Sequence, residues 1–273
     1  MDSNNLFSLK DKVIVVTGGT GVLGGSFVKG IANAGGIAVI LGRNKEVGRQ
    51  REDEINASGG KAFSVVADVL EEADLVKAKN TILEKYGTID GLVNGAGGNM
   101  PEGVLQPDAD IFSMNIDGMK KSMVLNVWGT IIPTQVFGAV MAQKGGGSIV
   151  NISSVSSKQV VTKVLGYSMG KAAVDCYNQW FAVEVANRFG DAIRVNAIMP
   201  GFFLTEQNRT LLTQPDGSFT QRGKLVIQHT PFKRFGKPEE LVGALIYLLS
   251  DASKFVTGMQ IGVDGGFTVF SGV

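Results

Sequence analysis

Short apolar runs alternate along the chain with longer amphipathic segments. The apolar runs are Val13–Val16, Ile37–Leu41, Ala62–Ala67, Gly91–Val93, Ser148–Ile152, Val195–Ile198 and Met259–Val263. Several of them are continuous blocks of valine, isoleucine and leucine, which is typical of strands buried on both faces. Segments with the length and pattern of helices lie between the runs, among them Asn44–Ala57, Glu71–Tyr86 and Met169–Arg188. This repetition of strand, helix and strand predicts a parallel sheet with helices on both faces, a doubly wound α/β fold.

Two stretches interrupt this pattern. Residues 99–122 lie between a predicted strand and a predicted helix, and residues 202–235 follow another predicted strand. Long loops in a compact domain are either disordered or functional lids, and both stretches start at the strand ends where open α/β sheets bind ligands, which favours lids. We therefore expect two lids over a substrate site. No linker-like segment divides the chain, so the sequence predicts one domain, residues 1–273.

Charge and composition narrow the range of functions. The 26 Lys and Arg residues nearly balance the 25 Asp and Glu residues, so the chain lacks the basic field that nucleic-acid binding needs. With one cysteine, Cys176, and one histidine, His229, an internal disulfide and a zinc site built from several Cys and His ligands are excluded. The N-terminal residues lack an apolar signal core, and no apolar run approaches the ~18 residues of a membrane span. We expect a cytoplasmic protein that acts on a small molecule, without a nucleic-acid or membrane partner and without a metal.

A glycine-rich segment follows the first predicted strand directly. It reads Thr17-Gly18-Gly19-Thr20-Gly21-Val22-Leu23-Gly24-Gly25 and leads into an apolar helical pattern. Gly19, Gly21 and Gly24 satisfy the GxGxxG spacing, which lets the backbone approach a pyrophosphate at the N-terminus of the next helix. The alternative is an ordinary tight turn in a glycine-rich chain. Because the segment opens the first strand–helix unit, the sequence favours a dinucleotide cofactor.

The end of the second predicted strand bears on the choice between NAD and NADP. NAD-binding sites usually place an acidic residue there, to accept a hydrogen bond from the ribose 2′-hydroxyl. Gly42 occupies that place, and Arg43 follows it. A guanidinium suits a 2′-phosphate, so the sequence leans towards NADP over NAD. The alternative is that Arg43 stacks on the adenine or points into solvent.

A tyrosine and a lysine, Tyr167 and Lys171, are spaced to share one helical face. Ser154 precedes them at the end of a predicted strand that faces the same crevice as the glycine turn. A nearby cation lowers the pKa of a phenol, so the tyrosine could exchange a proton with a carbonyl or alcohol oxygen that the serine holds. A Ser–His–Asp hydrolase is the competing hypothesis, but His229 is its only candidate base and the serines on the predicted strands lack a GxSxG elbow. Cys176, further along the same helical pattern, is expected to be a small buried side chain.

Short motifs occur in a fixed order along nearly the whole chain. They are Thr17-Gly18…Gly24, Asp68-Val69, Asn94-Gly95-Ala96-Gly97, Asn126-Val127-Trp128-Gly129, Ser154, Tyr167…Lys171 and Pro200-Gly201. With these motifs the sequence resembles the short-chain dehydrogenase/reductase family. The resemblance implies a Rossmann-type doubly wound sheet of seven parallel strands, usually in a homotetramer, and the use of NAD or NADP without a metal.

The resemblance also implies roles for individual residues. Tyr167 would be the acid/base, and Lys171 would bind the nicotinamide ribose and lower the pKa of the tyrosine. Ser154 would orient the substrate oxygen, and Asn126 would hold the water of a proton relay. Besides Tyr167 and Lys171, the residues expected at the cofactor are Gly18, Thr20, Leu23, Gly24, Arg43, Asn44, Asp68, Val69, Asn94, Ala96, Gly97, Pro200, Gly201, Phe203 and Thr205.

Two positions depart from the family pattern. Val22 stands where the middle glycine of the TGxxxGxG motif belongs, which puts the pyrophosphate contact in question. Gly95 replaces the second asparagine of the NNAG motif, which removes a hydrogen bond that braces the strands. Neither change removes a group that transfers a proton.

Segments 97–99, 201–209, 234–240 and 264–273 resemble one subgroup, the D-mannonate oxidoreductases or fructuronate reductases. This subgroup interconverts a keto-hexuronate and a hexonate, which implies D-fructuronate and D-mannonate as the substrates here. Asn99, Gln207, Asn208 and Arg209 are the expected substrate contacts, with Arg209 as a bidentate clamp on the carboxylate. The alternative is that Arg209 lies on a solvated helix face.

Other functions stay open at this point. Another short-chain reductase, such as a gluconate 5-dehydrogenase or a 3-oxoacyl reductase, would keep the same core motifs. A non-catalytic nucleotide-binding sensor is the alternative of a different class. Such a sensor would have no need to keep Asn126, Ser154, Tyr167 and Lys171 together.

Overall fold

The computed structural model describes residues 6–106, 108–205 and 208–272. Its sheet consists of β1 (Val13–Thr17), β2 (Ile37–Gly42), β3 (Lys61–Val66), β4 (Gly91–Asn94), β5 (Gly147–Ile152), β6 (Ile193–Pro200) and β7 (Gln260–Val263). The strand order is β3-β2-β1-β4-β5-β6-β7, and all neighbouring strands are parallel. The predicted single-domain, doubly wound α/β fold with seven parallel strands is therefore confirmed.

Helices follow the strands along the chain. Within the described residues, the α-helices are α1 (Val22–Asn33), α2 (Lys45–Ala57), α3 (Glu72–Tyr86), α4 (Ile116–Lys144), α5 (Leu165–Phe189), α6 (Arg209–Leu212), α7 (Gln221–His229) and α8 (Val242–Leu249). Helix α2 begins where Asn44 caps it, because the Asn44 side chain accepts a hydrogen bond from the backbone N–H of Val47. Helix α5 starts four residues before its predicted beginning, so it carries both Tyr167 and Lys171.

Alternate residues of the strands pack into two separate hydrophobic cores. Ile14 and Val16 of β1 face the side that α1 and α8 cover, whereas Val13 and Val15 face the side covered by α3, α4 and α5. All four side chains are at most 1% exposed. Burial on both faces explains why the strands read as continuous apolar blocks rather than as alternating patterns.

Helix α4 is both long and apolar. One 18-residue window of its 29 residues has a mean hydropathy of 1.4, so by length and composition it could cross a membrane, contrary to the expectation from the sequence. The helix packs against α5, β4 and β5, and 44% of that window is buried inside the protein. Val136, Phe137 and Met141 belong to the core on this side of the sheet. Its position in the core accounts for its hydropathy.

Both stretches that interrupt the sequence pattern begin at the carboxyl ends of strands. The first contains two 3₁₀ turns, Pro101–Gly103 and Ile111–Ser113. Its predicted end at residue 122 is wrong, because Asn115 accepts a hydrogen bond from the backbone N–H of Gly118 and caps α4, which begins at Ile116. The second stretch, 202–235, contains α6 and α7. That these stretches act as lids stays a prediction.

Candidate active site

The glycine-rich segment forms the turn between β1 and α1. Gly18 adopts the left-handed backbone conformation (φ 67°), and a Cβ atom there would lie 2.7 Å from the carbonyl oxygen of Gly95. A Cβ atom on Gly24 would lie 2.1 Å from the carbonyl oxygen of Gly18. The turn therefore requires glycine at positions 18 and 24 on steric grounds.

Helix α1 presents its N-terminus to the edge of the sheet. Its N-cap residue is Gly21, which contributes no side-chain cap. The first backbone N–H groups of a helix have no intrahelical acceptors and carry the positive end of the helix dipole. This end lies where β1 borders β4, the point at which the strand order reverses and open α/β sheets bind nucleotides. The turn thus fits the pyrophosphate of a dinucleotide.

Thr17 joins the glycine turn to the segment after β4. Its hydroxyl oxygen accepts hydrogen bonds from the backbone N–H groups of Gly95 and Ala96, both at 3.1 Å. The segment that departs from the family motif at Gly95 is therefore still held against β1. These hydrogen bonds come from backbone N–H groups, so they do not depend on the asparagine side chain that is missing at position 95.

Asn94 lies in the interior and does not line the cavity. It is 1% exposed, and its Nδ2 donates to Thr134 Oγ1 at 2.9 Å and to Asn151 Oδ1 at 2.8 Å. Asn151 in turn donates to Asn178 Oδ1 at 3.0 Å. This chain of buried amides ties β4 to β5, α4 and α5. The position of Asn94 suits a bracing role beneath the cofactor site.

The carboxyl end of β2 carries the groups expected at the adenosine ribose. The Arg43 side chain is 78% exposed, and its guanidinium lies 3.7 Å from the carboxylate of Asp68. The side-chain oxygen of Asn44 already accepts the hydrogen bond that caps α2. A Cβ atom on Gly42 would lie 2.6 Å from Thr20 Oγ1, so an acidic side chain at position 42 would force Thr20 to move. The end of β2 thus offers the guanidinium of Arg43 to a substituent of the adenosine ribose. The carboxylate of Asp68, which follows β3, balances the charge of this guanidinium.

A second arginine, which the sequence patterns did not single out, reaches the glycine turn from α2. The Nη1 atom of Arg51 donates to the carbonyl oxygens of Gly19 at 2.5 Å and Gly21 at 2.7 Å. Burial lowers the pKa of this guanidinium. A signal was present in the sequence, because Arg51 shares a helical face with the buried residues Gly48 and Ile55. A charged residue on the sheet-facing side of a helix needs a partner, and here the partner is the turn.

Lys171 is buried and anchored to the end of β5. It is 4% exposed, and its Nζ donates to the carbonyl oxygen of Ile152 at 2.7 Å. Burial lowers the pKa of Lys171 to about 8, while the negative charge of Asp175 counteracts this effect. The Nζ atom lies 5.7 Å from the centre of the Tyr167 ring. Tyr167 and Lys171 therefore share one face of α5, as the sequence predicted.

Tyr167 and Ser154 meet at the cavity wall. Burial raises the pKa of the Tyr167 phenol, and a hydrogen bond with Ser154 partly offsets that rise. The expectation that the lysine makes this phenol unusually acidic is therefore wrong for this arrangement. The physical reason is that Lys171 gives its hydrogen bond to Ile152, and burial acts more strongly on the phenol.

Asn126 is fully buried on α4 beside the segment after β4. Its Nδ2 donates to the carbonyl oxygens of Gly98 and Ser122, both at 2.7 Å, and its Oδ1 accepts from the backbone N–H of Gly98 at 3.1 Å. A Cβ atom on Gly97 would lie 2.7 Å from Asn126 Oδ1 and 3.2 Å from Lys171 Nζ. These atoms leave no room for a side chain at position 97, so the glycine is required there.

A buried carboxylate lies one helical turn beyond Lys171. Asp175 is 4% exposed, accepts a hydrogen bond from the hydroxyl of Ser153, and lies 3.4 Å from the Nζ atom of Lys158. This residue was not among those predicted from the sequence. Its signal was its place at the fourth residue after Lys171, on the same helix face. Cys176, the next residue, is exposed, which contradicts its predicted burial, because α5 buries the side that carries Val174 and Asp175.

A cavity of about 210 Å³ brings many of the predicted residues together. The predicted residues that line it are Leu23, Gly97, Asn99, Ser154, Tyr167, Lys171, Pro200, Gly201, Phe203, Thr205 and Asn208. Those outside its lining are Gly18, Thr20, Gly24, Arg43, Asn44, Asp68, Val69, Asn94, Ala96, Asn126 and Arg209. Gln207 lies outside the described residues. The lining runs from the N-terminus of α1 to the ends of β5 and β6, which fits an elongated nucleotide with a small substrate beside it.

The guanidinium at this cavity belongs to Arg222, not to the predicted Arg209. Arg209 is exposed at the start of α6, whereas Arg222, on α7, lines the cavity together with Ser154 and Tyr167. The side chain of Asn208 is engaged with its own loop, since its Oδ1 accepts from Thr205 N–H and its Nδ2 donates to the carbonyl oxygen of Phe203. The sequence signal for Arg222 was its place four residues before Val226 on the buried face of α7.

Comparison with known proteins gives matches over nearly the whole chain. A family model described as Enoyl-(Acyl carrier protein) reductase matches residues 22–268. An uncharacterized oxidoreductase of Bacillus subtilis (strain 168), UxuB, is 42% identical over 275 residues, with 97% of this chain and 98% of that protein covered. The chain is thus similar to an oxidoreductase over nearly the full length of both proteins.

Two solved structures are similar in both fold and sequence. A protein from Haemophilus influenzae with bound NAD, provisionally named a D-mannonate oxidoreductase, is 39% identical with a TM-score of 0.89, covering 97% of this chain and 98% of that chain. A gluconate 5-dehydrogenase from Burkholderia cenocepacia J2315, in complex with NADP and tartrate, is 32% identical with a TM-score of 0.85, covering 98% and 99%.

Proposed function

The chain is an oxidoreductase of the short-chain dehydrogenase/reductase family, and from that premise we propose that it interconverts D-fructuronate and D-mannonate with NADP or NAD. The observation that carries the proposal is the composition of the cavity. Ser154 and Tyr167 meet there, and among the described residues that line it Lys171 and Arg222 are cationic while none is acidic. Such a lining favours an anionic substrate with a carbonyl or alcohol group.

The proposed chemistry needs one proton donor and one group to hold the reacting oxygen. When bound, the nicotinamide supplies the hydride for reduction or accepts it in oxidation. In reduction, the Tyr167 phenol gives its proton to the carbonyl oxygen and recovers one from solvent afterwards. Ser154 donates a hydrogen bond to that oxygen and stabilises the charge that develops on it. In oxidation, the phenolate removes the proton of the substrate hydroxyl.

Lys171 and Asn126 support this proton transfer without exchanging the proton themselves. We propose that the charge of the Lys171 ammonium, 5.7 Å from the centre of the Tyr167 ring, offsets part of the penalty that burial imposes on the phenolate, and that this lysine also contacts the nicotinamide ribose. The hydrogen bonds of Asn126 to Gly98 fix the backbone next to the cavity. The proton-relay water proposed for Asn126 would have to bind beside these bonds.

The residues that would hold the cofactor lie along the ends of three strands. Gly18, Gly24 and the N-terminus of α1 would receive the pyrophosphate. Pro200, Gly201, Phe203 and Thr205 would border the nicotinamide, and Arg43 would meet a 2′-phosphate. We propose NADP as the preferred form on the strength of Arg43 and Gly42. Similar proteins with bound NAD and with bound NADP support the use of either form.

Two relatives support a sugar acid as the substrate. The similar protein provisionally named a D-mannonate oxidoreductase favours D-mannonate, and the similar gluconate 5-dehydrogenase favours D-gluconate as the second candidate. The second protein was crystallised with tartrate, which is also a carboxylate. Both candidates share a carboxylate next to several hydroxyl groups.

We further propose a homotetramer in the cytoplasm as the working form. The long helices α4 and α5 pack side by side and expose Trp128 and Trp180, which are 51% and 61% accessible. Large exposed aromatic side chains on adjacent helices favour a subunit contact. Light scattering of the purified protein tests the assembly directly.

A substrate panel tests the proposed function. The purified enzyme is assayed for oxidation of NADPH and of NADH with D-fructuronate, 5-keto-D-gluconate and an acetoacetyl thioester. We expect the highest kcat/KM with D-fructuronate and NADPH. Preference for 5-keto-D-gluconate would favour the second candidate, and turnover of the thioester alone would contradict a sugar-acid substrate.

A further inference from the structure

Among the residues that the structure describes, two cations border the cavity, but they are not equivalent. Lys171 is 4% exposed and already donates to the carbonyl oxygen of Ile152 at 2.7 Å. Arg222 is half-buried and lies on a different helix, α7. A substrate carboxylate that met Lys171 would compete with the anchor of that lysine. Arg222 has no such commitment to the proton-transfer residues.

Within the described part of the chain, the hydrogen-bond partners of Arg222 are neutral. Its Nη1 donates to Thr162 Oγ1 at 3.1 Å, and its Nη2 donates to the carbonyl oxygen of Thr162 at 3.0 Å. Burial lowers the pKa of the guanidinium, and no described acidic residue lines the cavity to offset that burial. A half-buried cation whose described partners are all neutral gains most from an anionic ligand.

The geometry of the guanidinium leaves capacity for such a ligand. A guanidinium has five N–H donors in a planar fork, and the two bonds to Thr162 use two of them. Donors therefore remain for a planar carboxylate. The bonds to Thr162 also fix the arginine, which lies on the second predicted lid, against the segment between β5 and α5.

We propose that Arg222 binds the carboxylate of the substrate, while Ser154 and Tyr167 hold its carbonyl group. Arg222 is then the residue that selects carboxylate-bearing ketones over neutral ketoses. This inference rests on the proposed function and assigns to Arg222 the role that the sequence pattern suggested for Arg209.

The test compares Arg222→Gln and Arg222→Lys with wild type on D-fructuronate and on the neutral ketose D-fructose. We expect Arg222→Gln to raise KM for D-fructuronate about 30- to 100-fold and to change kcat less than threefold. The reason is that a contact made equally in the ground state and in the transition state contributes to KM and not to kcat. The kcat/KM for D-fructose should stay within threefold. Arg222→Lys should recover part of the affinity, since it restores the charge without the fork.

Two further variants complete the design. Lys224→Gln removes an exposed charge from the same helix and should leave kcat/KM for both substrates unchanged. Arg209→Gln tests the competing arginine. Thermal unfolding and cofactor titration of each variant establish that it is folded.

Each outcome decides the inference. If Arg222→Gln keeps the wild-type preference for the acid, or if Arg209→Gln loses it instead, the assignment of Arg222 is wrong and the proposed function stands. If the wild-type enzyme reduces no carboxylate-bearing ketone at all, the proposed function itself is wrong, and the inference about Arg222 fails with it.

Discussion

Lys171 donates a hydrogen bond from its Nζ atom to the carbonyl oxygen of Ile152, at 2.7 Å. The bond fixes the ammonium at the end of β5 instead of at the hydroxyl of Tyr167. Since burial lowers the pKa of Lys171 to about 8, the ammonium loses its proton as the pH rises through that value. Activity that depends on its charge should therefore fall above pH 8.

Asp175 is expected to keep Lys171 charged, and its removal should move the pH profile. The carboxylate raises the pKa of Lys171 against the effect of burial, so Asp175→Asn should lower that pKa further. The alkaline limb of kcat/KM should then shift by about one pH unit towards lower pH. Asp191→Asn, a change at an exposed aspartate after α5, is the matched control and should leave the profile unchanged. Identical alkaline limbs for Asp175→Asn and wild type would contradict the coupling.

The strands and the meeting of Ser154 with Tyr167 could be predicted because local patterns determine them. Val13 to Val16 are buried on both faces, and such burial requires an uninterrupted apolar run. Ser154 and Tyr167 could be assigned to one site because the first ends a parallel strand and the second begins the helix that follows. The carboxyl ends of parallel strands share one edge of the sheet.

The missed residues depend on contacts between distant segments. Arg51 reaches the glycine turn from α2, and Arg222 reaches Thr162 from α7. Helical periodicity placed both on inward faces, but it could not tell which group each would meet. The pKa of Tyr167 was predicted in the wrong direction for a similar reason, because spacing along a helix does not show what else the lysine binds.

The glycine turn should tolerate alanine at one position and not at another. A Cβ atom on Gly24 would lie 2.1 Å from the carbonyl oxygen of Gly18, whereas one on Gly21 would lie 3.3 Å from the same oxygen. We expect Gly24→Ala to weaken NADPH binding at least tenfold and Gly21→Ala to change it less than threefold. Fluorescence titration of each variant measures the dissociation constant. Equal effects of the two substitutions would contradict the steric account of the turn.

Arg43 should determine the preference between the two cofactors. Its exposed guanidinium at the end of β2 can pair with a 2′-phosphate but gains little from a 2′-hydroxyl. Arg43→Ala should raise KM for NADPH about tenfold and leave KM for NADH within twofold. Arg49→Ala, at another exposed arginine of the same region, serves as the control. An unchanged ratio of the two KM values would contradict binding of the 2′-phosphate by Arg43.

The buried amide chain should contribute strongly to stability. Asn151→Ala removes an acceptor from Asn94 and a donor from Asn178, which leaves buried polar groups unpaired. We expect the free energy of unfolding to fall by roughly 2 to 4 kcal/mol in denaturant titration. Asn80→Ala, at an exposed position of α3, should change it by less than about 0.5 kcal/mol. A loss for Asn151→Ala as small as that of the control would contradict the role of these hydrogen bonds.

The central claim is that the Tyr167 hydroxyl transfers the proton to the substrate oxygen, and removal of that one oxygen atom tests it most directly. The rate of NADPH oxidation is measured with the best substrate of the panel for wild type, Tyr167→Phe and the control Tyr86→Phe, together with NADPH affinity. We predict that Tyr167→Phe lowers kcat at least about 10³-fold, with the dissociation constant of NADPH changed no more than a few-fold, and that Tyr86→Phe behaves as wild type. A Tyr167→Phe enzyme that retains more than a tenth of the wild-type kcat would contradict the claim.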